Sequence, residues 1–144
     1  MTLVLDAEAL SLVARTRTKA TATSRAVNML RAALVEEEEV IVPAAVLAEL
    51  YRGPRYDQII DACLNRFPAI VVVDTDRPLA REVGHVLARA GRGSADHVDA
   101  SVVAVAARNA PAVIATADVE DITTLAACAP GIGVLQVQLA RRSK

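Results

Sequence analysis

Short runs of aliphatic, mostly β-branched residues alternate with helical segments along this 144-residue chain. Apolar runs of this length, bounded by turn residues, are typical of strands buried on both faces. Strands that alternate with helices predict a parallel sheet covered on both faces, and therefore an α/β fold. The length suits a single domain over residues 1–144. The predicted strands cover residues 2–5, 40–42, 69–73, 112–116 and 134–137.

Helix start and stop signals divide the intervals between these strands. Ser24 is a good N-cap residue, and Pro43 suits the first turn of a helix. Gly53 and Pro54 are expected to stop the helix that follows the second strand. The predicted helices cover residues 7–13, 24–34, 44–51, 56–66, 77–90, 96–109 and 122–128.

The composition excludes several classes of protein. Hydrophobic residues make up 53% of the chain, but no apolar run reaches the roughly 18 residues that a membrane-spanning helix needs. Asp6 and Glu8 interrupt the N-terminus before a signal peptide could form, so we expect a cytoplasmic protein. A net charge of -1 excludes a globally basic nucleic-acid binder.

Acidic side chains recur where the predicted strands end. Asp6 directly follows the first strand, and Asp118 lies just beyond the fourth. Asp96 and Asp99 begin the helix that leads into the fourth strand, and Glu49 lies on the helix after the second strand. Because functional groups of open parallel sheets gather at the carboxyl ends of the strands, we expect these carboxylates to form one cluster.

A cluster of carboxylates is costly unless a cation neutralises it. Neighbouring carboxylates raise one another's pKa, and a divalent ion reverses this cost. Mg²⁺ and Mn²⁺ prefer such hard oxygen ligands, and a bound ion can activate water for attack on a phosphodiester. Asp96 and Asp121 are as well explained by helix capping as by catalysis. The hydroxyl of Thr116 is expected at the strand end, beside Asp118.

Four segments, VLDAEAL, VPAAVLAELYRG, DHVDASVVAVAAR and VIATADVEDI, have an order and spacing that resembles PIN-domain ribonucleases. The closest branch is the toxin of bacterial VapBC toxin–antitoxin pairs. The resemblance implies a three-layer α/β/α fold with strand order 3-2-1-4-5. It also implies Mg²⁺ or Mn²⁺ dependence, RNA cleavage, a homodimer, and a small antitoxin that inserts a C-terminal segment into the site.

The family's acidic quartet matches four residues of this sequence. The resemblance implies catalytic roles for Asp6, Glu49, Asp99 and Asp118, with Asp6, Asp99 and Asp118 as metal ligands. It implies accessory roles for Asp96 and Asp121, and we add Thr116 as a supporting residue. The sequence departs from the family where a hydroxyl residue often follows the first aspartate, because Ala7 and Glu8 stand there.

A cationic segment near the N-terminus is a candidate for binding the RNA backbone. Its members are Arg15, Arg17, Lys19 and Arg25, which an ordinary solvated loop explains equally well.

Two other functions compete with the nuclease. One is a catalytically silent PIN-like scaffold that binds a protein or RNA partner. The other is phosphotransfer of the haloacid dehalogenase or receiver type, suggested by Asp74 and Asp76 after the third strand. That chemistry needs a lysine beside the acids, whereas neither Lys19 nor Lys144, the two lysines of the chain, lies at a strand end.

Overall fold

A parallel five-stranded sheet forms the centre of the molecule. The computed structural model describes residues 1–16 and 25–137. Strand order is β3-β2-β1-β4-β5, and every adjacent pair is parallel, which confirms the predicted order. The strands are β1 (Thr2–Leu5), β2 (Glu39–Pro43), β3 (Ile70–Val73), β4 (Ala112–Thr116) and β5 (Ile132–Gln136).

Seven helices are described, and they connect these strands. They are α1 (Ala7–Arg15), α2 (Arg25–Val35), α3 (Ala44–Leu50), α4 (Pro54–Arg66), α5 (Arg77–Arg89), α6 (His97–Arg108) and α7 (Val119–Ala126). A 3-10 turn, Ser94–Asp96, precedes α6.

The order of the strands explains the three layers and the position of the site. The chain passes from β1 to β2 and β3 in one direction, and then crosses to β4 on the other side of β1. Parallel crossovers are right-handed, so connections in opposite directions place their helices on opposite faces of the sheet. A crevice forms at the carboxyl ends of β1 and β4, where this direction reverses.

Helix α6 is the most deeply buried helix on its face of the sheet. It packs against β1, β2 and β4, and α5 and α7 flank it. Every residue from Ala100 to Ala106 is buried. Alanine and valine fill most of these positions, and their small side chains allow the helix to approach both the sheet and its neighbours. This rigid packing fixes the first turn of α6, which carries Asp99, above the crevice.

The structure corrects several predicted boundaries. Pro43 is the last residue of β2 and the residue before α3, so it does not lie in the first turn of a helix. Helix α3 ends at Leu50, before Gly53 is reached, and Pro54 begins α4 with Gly53 at its N-cap position and a positive φ of 112°. The helix predicted from residue 96 begins at His97, and α7 begins at Val119 because Asp118 caps it. Ser24 lies outside the described residues.

Candidate active site

Asp6 occupies the crevice at the end of β1. Its backbone N–H donates to Ala115 on the neighbouring strand β4, and its side chain accepts a 2.8 Å hydrogen bond from the N–H of Ala9. Asp6 is therefore the N-cap of α1, and it is 5% exposed. Burial raises the pKa of Asp6 above its ordinary 3.8, although hydrogen bonds from Thr116 and Ala9 oppose that effect.

Thr116 links the two acids at the ends of β1 and β4. It is fully buried at the last position of β4, and its hydroxyl oxygen accepts a 2.9 Å hydrogen bond from the N–H of Asp118. The same side chain hydrogen-bonds Asp6, which lowers the pKa of that carboxyl. Asp118 in turn caps α7, because its carboxylate accepts from the N–H of Asp121 at 3.2 Å. Thr116 thus lies beside Asp118 as expected and also contacts Asp6.

Asp99 is the crevice acid on which the charges of the other carboxylates act together. It occupies the first turn of α6 and is partly buried. Its pKa is raised from 3.8 to about 6, mainly by burial and then by the charges of neighbouring carboxylates, which are, in order of importance, Asp6, Glu49, Asp118 and Asp121. The four acids named in the quartet prediction are therefore electrostatically coupled, with Asp99 as the group they share.

Glu49 approaches the crevice from α3. This helix packs against both α1 and α6, which carry the other acids. The side chain of Glu49 is exposed, and its charge raises the pKa of both Asp6 and Asp99. Glu49 consequently contributes negative charge to the open side of the site.

Three carboxylates form a compact group at the outer edge of the crevice. One oxygen from each of Asp96, Asp99 and Asp121 lies within 4.8 Å of the other two. We call these three residues the outer group; within the described ranges, no other three acidic, histidine or cysteine side chains meet this spacing. Carboxylate oxygens at such spacing fit the donor set of Mg²⁺ or Mn²⁺. Asp99 belongs both to the outer group and to the predicted quartet.

The side chain of Asp96 does not cap α6. Asp96 holds the N-cap position but makes no side-chain hydrogen bond to the helix backbone. Asp121 does not cap a helix either, since it lies inside α7 and Asp118 is the cap. The capping explanation of these two acids is therefore wrong, and both carboxylates are directed to the outer group.

Arg92 is a site residue that the sequence analysis missed. It follows α5, and its guanidinium lies 3.6 Å from a carboxylate oxygen of Asp96 and 3.5 Å from one of Asp121. The spacing of four residues between Arg92 and Asp96 could have indicated the first ion pair. The second joins residues 29 apart in the chain and depends on how α7 packs beside α6.

The candidate RNA-binding cations are only partly described. Arg15 lies at the end of α1, donates to the carbonyl of Ser11, and pairs with Glu8 at 3.7 Å. Glu8 therefore contacts a cation, and its charge also raises the pKa of Asp6. Arg25 is exposed at the start of α2, whereas Arg17 and Lys19 lie outside the described residues.

The aspartates that suggested phosphotransfer have a simpler explanation. Asp76 caps α5, and its side chain accepts a 2.9 Å hydrogen bond from the N–H of Leu79. Asp74 follows β3 at the edge of the sheet, two strands away from β1. Both positions are remote from the crevice between β1 and β4.

Across the described ranges, every helix is too short or too polar to traverse a lipid bilayer.

Two solved structures share this fold over nearly the whole chain. VapBC2 from Rickettsia felis, bound to a DNA fragment from its promoter, matches with a TM-score of 0.64 and 16% sequence identity. The match covers 96% of this chain and 100% of that one. DNA-bound VapBC from Salmonella typhimurium matches with a TM-score of 0.63 and 16% identity, covering 96% and 99% of the two chains.

Sequence comparisons identify the family. A comparison with curated proteins finds no significant match. The PIN domain family matches residues 3–124, a range that contains every acidic residue of the crevice. The chain therefore belongs to the PIN domain family.

Proposed function

We propose that this protein is a divalent-metal-dependent endoribonuclease and the toxin of a toxin–antitoxin pair of the VapBC type. The observation that carries the enzymatic part is the position of Asp99, whose pKa of about 6 reflects burial and four neighbouring carboxylates. PIN domains are typically nucleases, and a silent scaffold would have no need of so costly a cluster.

The carboxylates present fit a divalent cation. The quartet prediction assigns Asp6, Asp99 and Asp118 as ligands, whereas the 4.8 Å spacing favours Asp99 together with Asp96 and Asp121. Asp99 is common to both sets, so it is the residue on which the metal proposal depends. A bound Mg²⁺ or Mn²⁺ would activate water and stabilise negative charge on the phosphate.

The residues around the acids have positioning roles in this proposal. Thr116 keeps Asp6 and Asp118 in fixed relative positions through two hydrogen bonds. The cap that Asp6 makes to Ala9 orients its carboxylate at the end of β1. Glu49 is exposed beside these groups and can accept a proton from water at the open side of the crevice. Because these side chains are already held in position, they need to move less when the phosphodiester is hydrolysed.

The biological role rests on similarity of fold. Both solved structures are VapBC complexes, so we propose a small antitoxin as partner, a homodimer as the assembly, and the cytoplasm as the location. Exposed Val71 and Val72 on the edge strand β3 offer apolar surface for an assembly.

Arg15 and Arg25, with Arg17 and Lys19, are the proposed contacts to the RNA backbone.

RNA cleavage by an Asp99→Asn variant tests the proposed function. The amide keeps the size of the side chain but removes the charge that a metal requires, so cleavage in Mg²⁺ or Mn²⁺ should fall by at least about a hundredfold, as expected for loss of a group needed in the transition state. Cleavage of a labelled RNA pool, followed on denaturing gels, provides the measurement.

Asp74→Asn is the matched control for that experiment. It makes the same change after β3, outside the crevice, and should retain full activity. Wild-type protein that neither cleaves RNA nor binds Mn²⁺ would favour the silent scaffold. Loss of RNA cleavage in Asp74→Asn would instead show that the effect of Asp99→Asn is not specific to the crevice.

A further inference from the structure

A guanidinium group already lies against the carboxylates of the outer group. Arg92 contacts Asp96 at 3.6 Å and Asp121 at 3.5 Å, using two different nitrogen atoms. Both acids also contribute the oxygens that lie within 4.8 Å of Asp99. The carboxylates best spaced to bind a divalent cation are therefore the ones that an arginine of the same chain contacts.

Arg92 stands apart from the other arginines whose ion pairs are described. Arg15 pairs with Glu8, and Arg108 pairs with Glu82. Within residues 1–16 and 25–137, no other ion pair reaches an acid of the outer group. Among the ion pairs of the described residues, those of Arg92 are thus the ones that bring positive charge to the outer group.

We propose that Arg92 is a resident counter-cation, one that belongs to the protein and competes with a divalent metal for the outer group. This inference rests on the proposed function, since it concerns the metal of the same site. While Arg92 is in place, it weakens metal binding to Asp96, Asp99 and Asp121. Metal binding there requires the guanidinium to leave, so Arg92 sets the metal concentration at which the outer group fills.

The exposure of the three side chains makes this competition feasible. Arg92 is 34% exposed, Asp96 25% and Asp121 40%. Ion pairs open to water to this degree stabilise a protein only weakly, so a divalent ion can displace the guanidinium at modest cost. A deeply buried pair would resist such displacement because its partners would be left uncompensated.

The backbone around Arg92 allows its side chain to move independently. The N–H of Arg92 donates to the carbonyl of Leu87 at 2.9 Å, and Gly91 before it adopts a positive φ of 63°. These features fix the turn after α5 through the main chain. Removal of the guanidinium therefore leaves the turn supported by the backbone.

Calorimetric titration with Mn²⁺ tests the proposal. An Arg92→Ala variant should bind Mn²⁺ about tenfold more tightly than wild type, which corresponds to the loss of about 1.4 kcal/mol of competition from the two ion pairs together, or should bind an additional ion per chain. Unchanged affinity and stoichiometry, or weaker binding, would overturn the proposal.

Arg108→Ala is the matched control. Arg108 is 36% exposed, lies on α6, and makes an ion pair with Glu82 that resembles those of Arg92. Its removal changes the net charge by the same amount but leaves the outer group untouched, so Mn²⁺ binding should match wild type. An equal gain in this control would show a general charge effect and overturn the specific role of Arg92.

Two further variants protect the test against misfolding and localise the effect. Arg92→Lys keeps the charge but loses the fork that reaches two acids, so its Mn²⁺ affinity should lie between wild type and Arg92→Ala. Adding Asp121→Asn to Arg92→Ala should abolish the gain. If the gain persists in that double variant, the ion binds elsewhere and the proposal fails.

The same titration separates this proposal from the proposed function. Wild-type protein that cleaves RNA, with an Arg92→Ala variant that binds Mn²⁺ identically, contradicts only the role of Arg92. Wild-type protein that does not cleave RNA, with tighter Mn²⁺ binding in Arg92→Ala, contradicts the nuclease and supports the competition.

Discussion

Asp99 couples the stability of the protein to pH in a direction opposite to that of most aspartates. Its folded-state pKa is about 6, above the ordinary 3.8 of an unfolded chain. Between these values the folded protein binds a proton that the unfolded chain has released. The contribution of Asp99 to the free energy of unfolding is therefore largest at acid pH and is lost as pH rises through about 6.

An Asp99→Asn variant should remove this dependence. Without divalent metal, it should be at least as stable as wild type at pH 7.5, because the amide relieves repulsion among the carboxylates. At pH 4.5, where Asp99 is protonated in the folded state, the two proteins should differ less. Urea unfolding at both pH values measures the difference. A variant that is clearly less stable than wild type at pH 7.5 would show that the Asp99 carboxylate has a favourable partner in the folded protein.

At the scale of secondary structure, the crevice acids also serve as helix caps. Asp6 caps α1 and Asp118 caps α7, and each acid directly precedes its helix in the short connection from the strand. The capping interaction fixes the orientation of the carboxylate, and the carboxylate satisfies the first free N–H groups of the helix. Substitution of either acid thus alters a helix start as well as the site.

Two substitutions of Asp6 should separate these roles. Asparagine is as good an N-cap as aspartate, so Asp6→Asn should keep α1 stable while removing the charge needed for RNA cleavage. Asp6→Ala should lose the cap to Ala9 as well, at a cost of about 1 kcal/mol in the free energy of unfolding. Paired denaturation and cleavage assays check both effects. Substantial RNA cleavage by Asp6→Asn would contradict the assignment of Asp6.

The helices and strands could be predicted from the sequence where the pattern of apolar residues is regular, and the crevice acids could be predicted where they follow a strand end. Alternating apolar runs locate β1 and β4 to the residue, and the rule for carboxyl ends brings Asp6, Asp99 and Asp118 to one crevice. Strand order 3-2-1-4-5 came from the family resemblance, since periodicity does not specify which strands are neighbours.

The ion pair between Arg92 and Asp121 could not be predicted from the sequence because it depends on tertiary packing. Asp121, which Arg92 contacts, lies in the first turn of α7, and this helix begins at Val119, three residues before its predicted start. The capping interaction of Asp118 causes this early start. For Asp96 the sequence left capping and an accessory site role open; the residue ends a short 3-10 turn before α6, and its side chain makes no cap hydrogen bond.

At the scale of the whole molecule, repulsion among the crevice carboxylates lowers the free energy of unfolding when no metal is bound. The apolar core, including the buried α6, has to hold together carboxylates that repel one another at the edge of the sheet. A ligand that binds only the folded state and neutralises that charge stabilises the entire domain, since a domain of this size is expected to unfold as one unit.

Divalent metal should therefore raise the melting temperature, and pH should control the size of the effect. At pH 7.5, Mn²⁺ at a hundred times its dissociation constant should add about 2.7 kcal/mol to the free energy of unfolding. For a domain of this length that corresponds to a rise of roughly 5–10 °C in Tm. At pH 5 the proton on Asp99 competes with the metal, so the rise should be much smaller.

Thermal melts with Mn²⁺, compared with NaCl at matched ionic strength, separate specific binding from screening of the charges. Screening alone relieves repulsion among exposed acids, so NaCl should produce only a small part of the effect. Equal stabilisation by the two salts would mean that the cluster has no bound ion. Equal stabilisation by Mn²⁺ at pH 5 and pH 7.5 would place the metal away from Asp99. Either outcome would remove the physical basis of the proposed nuclease site, because that basis is the cost of concentrating carboxylates around Asp99.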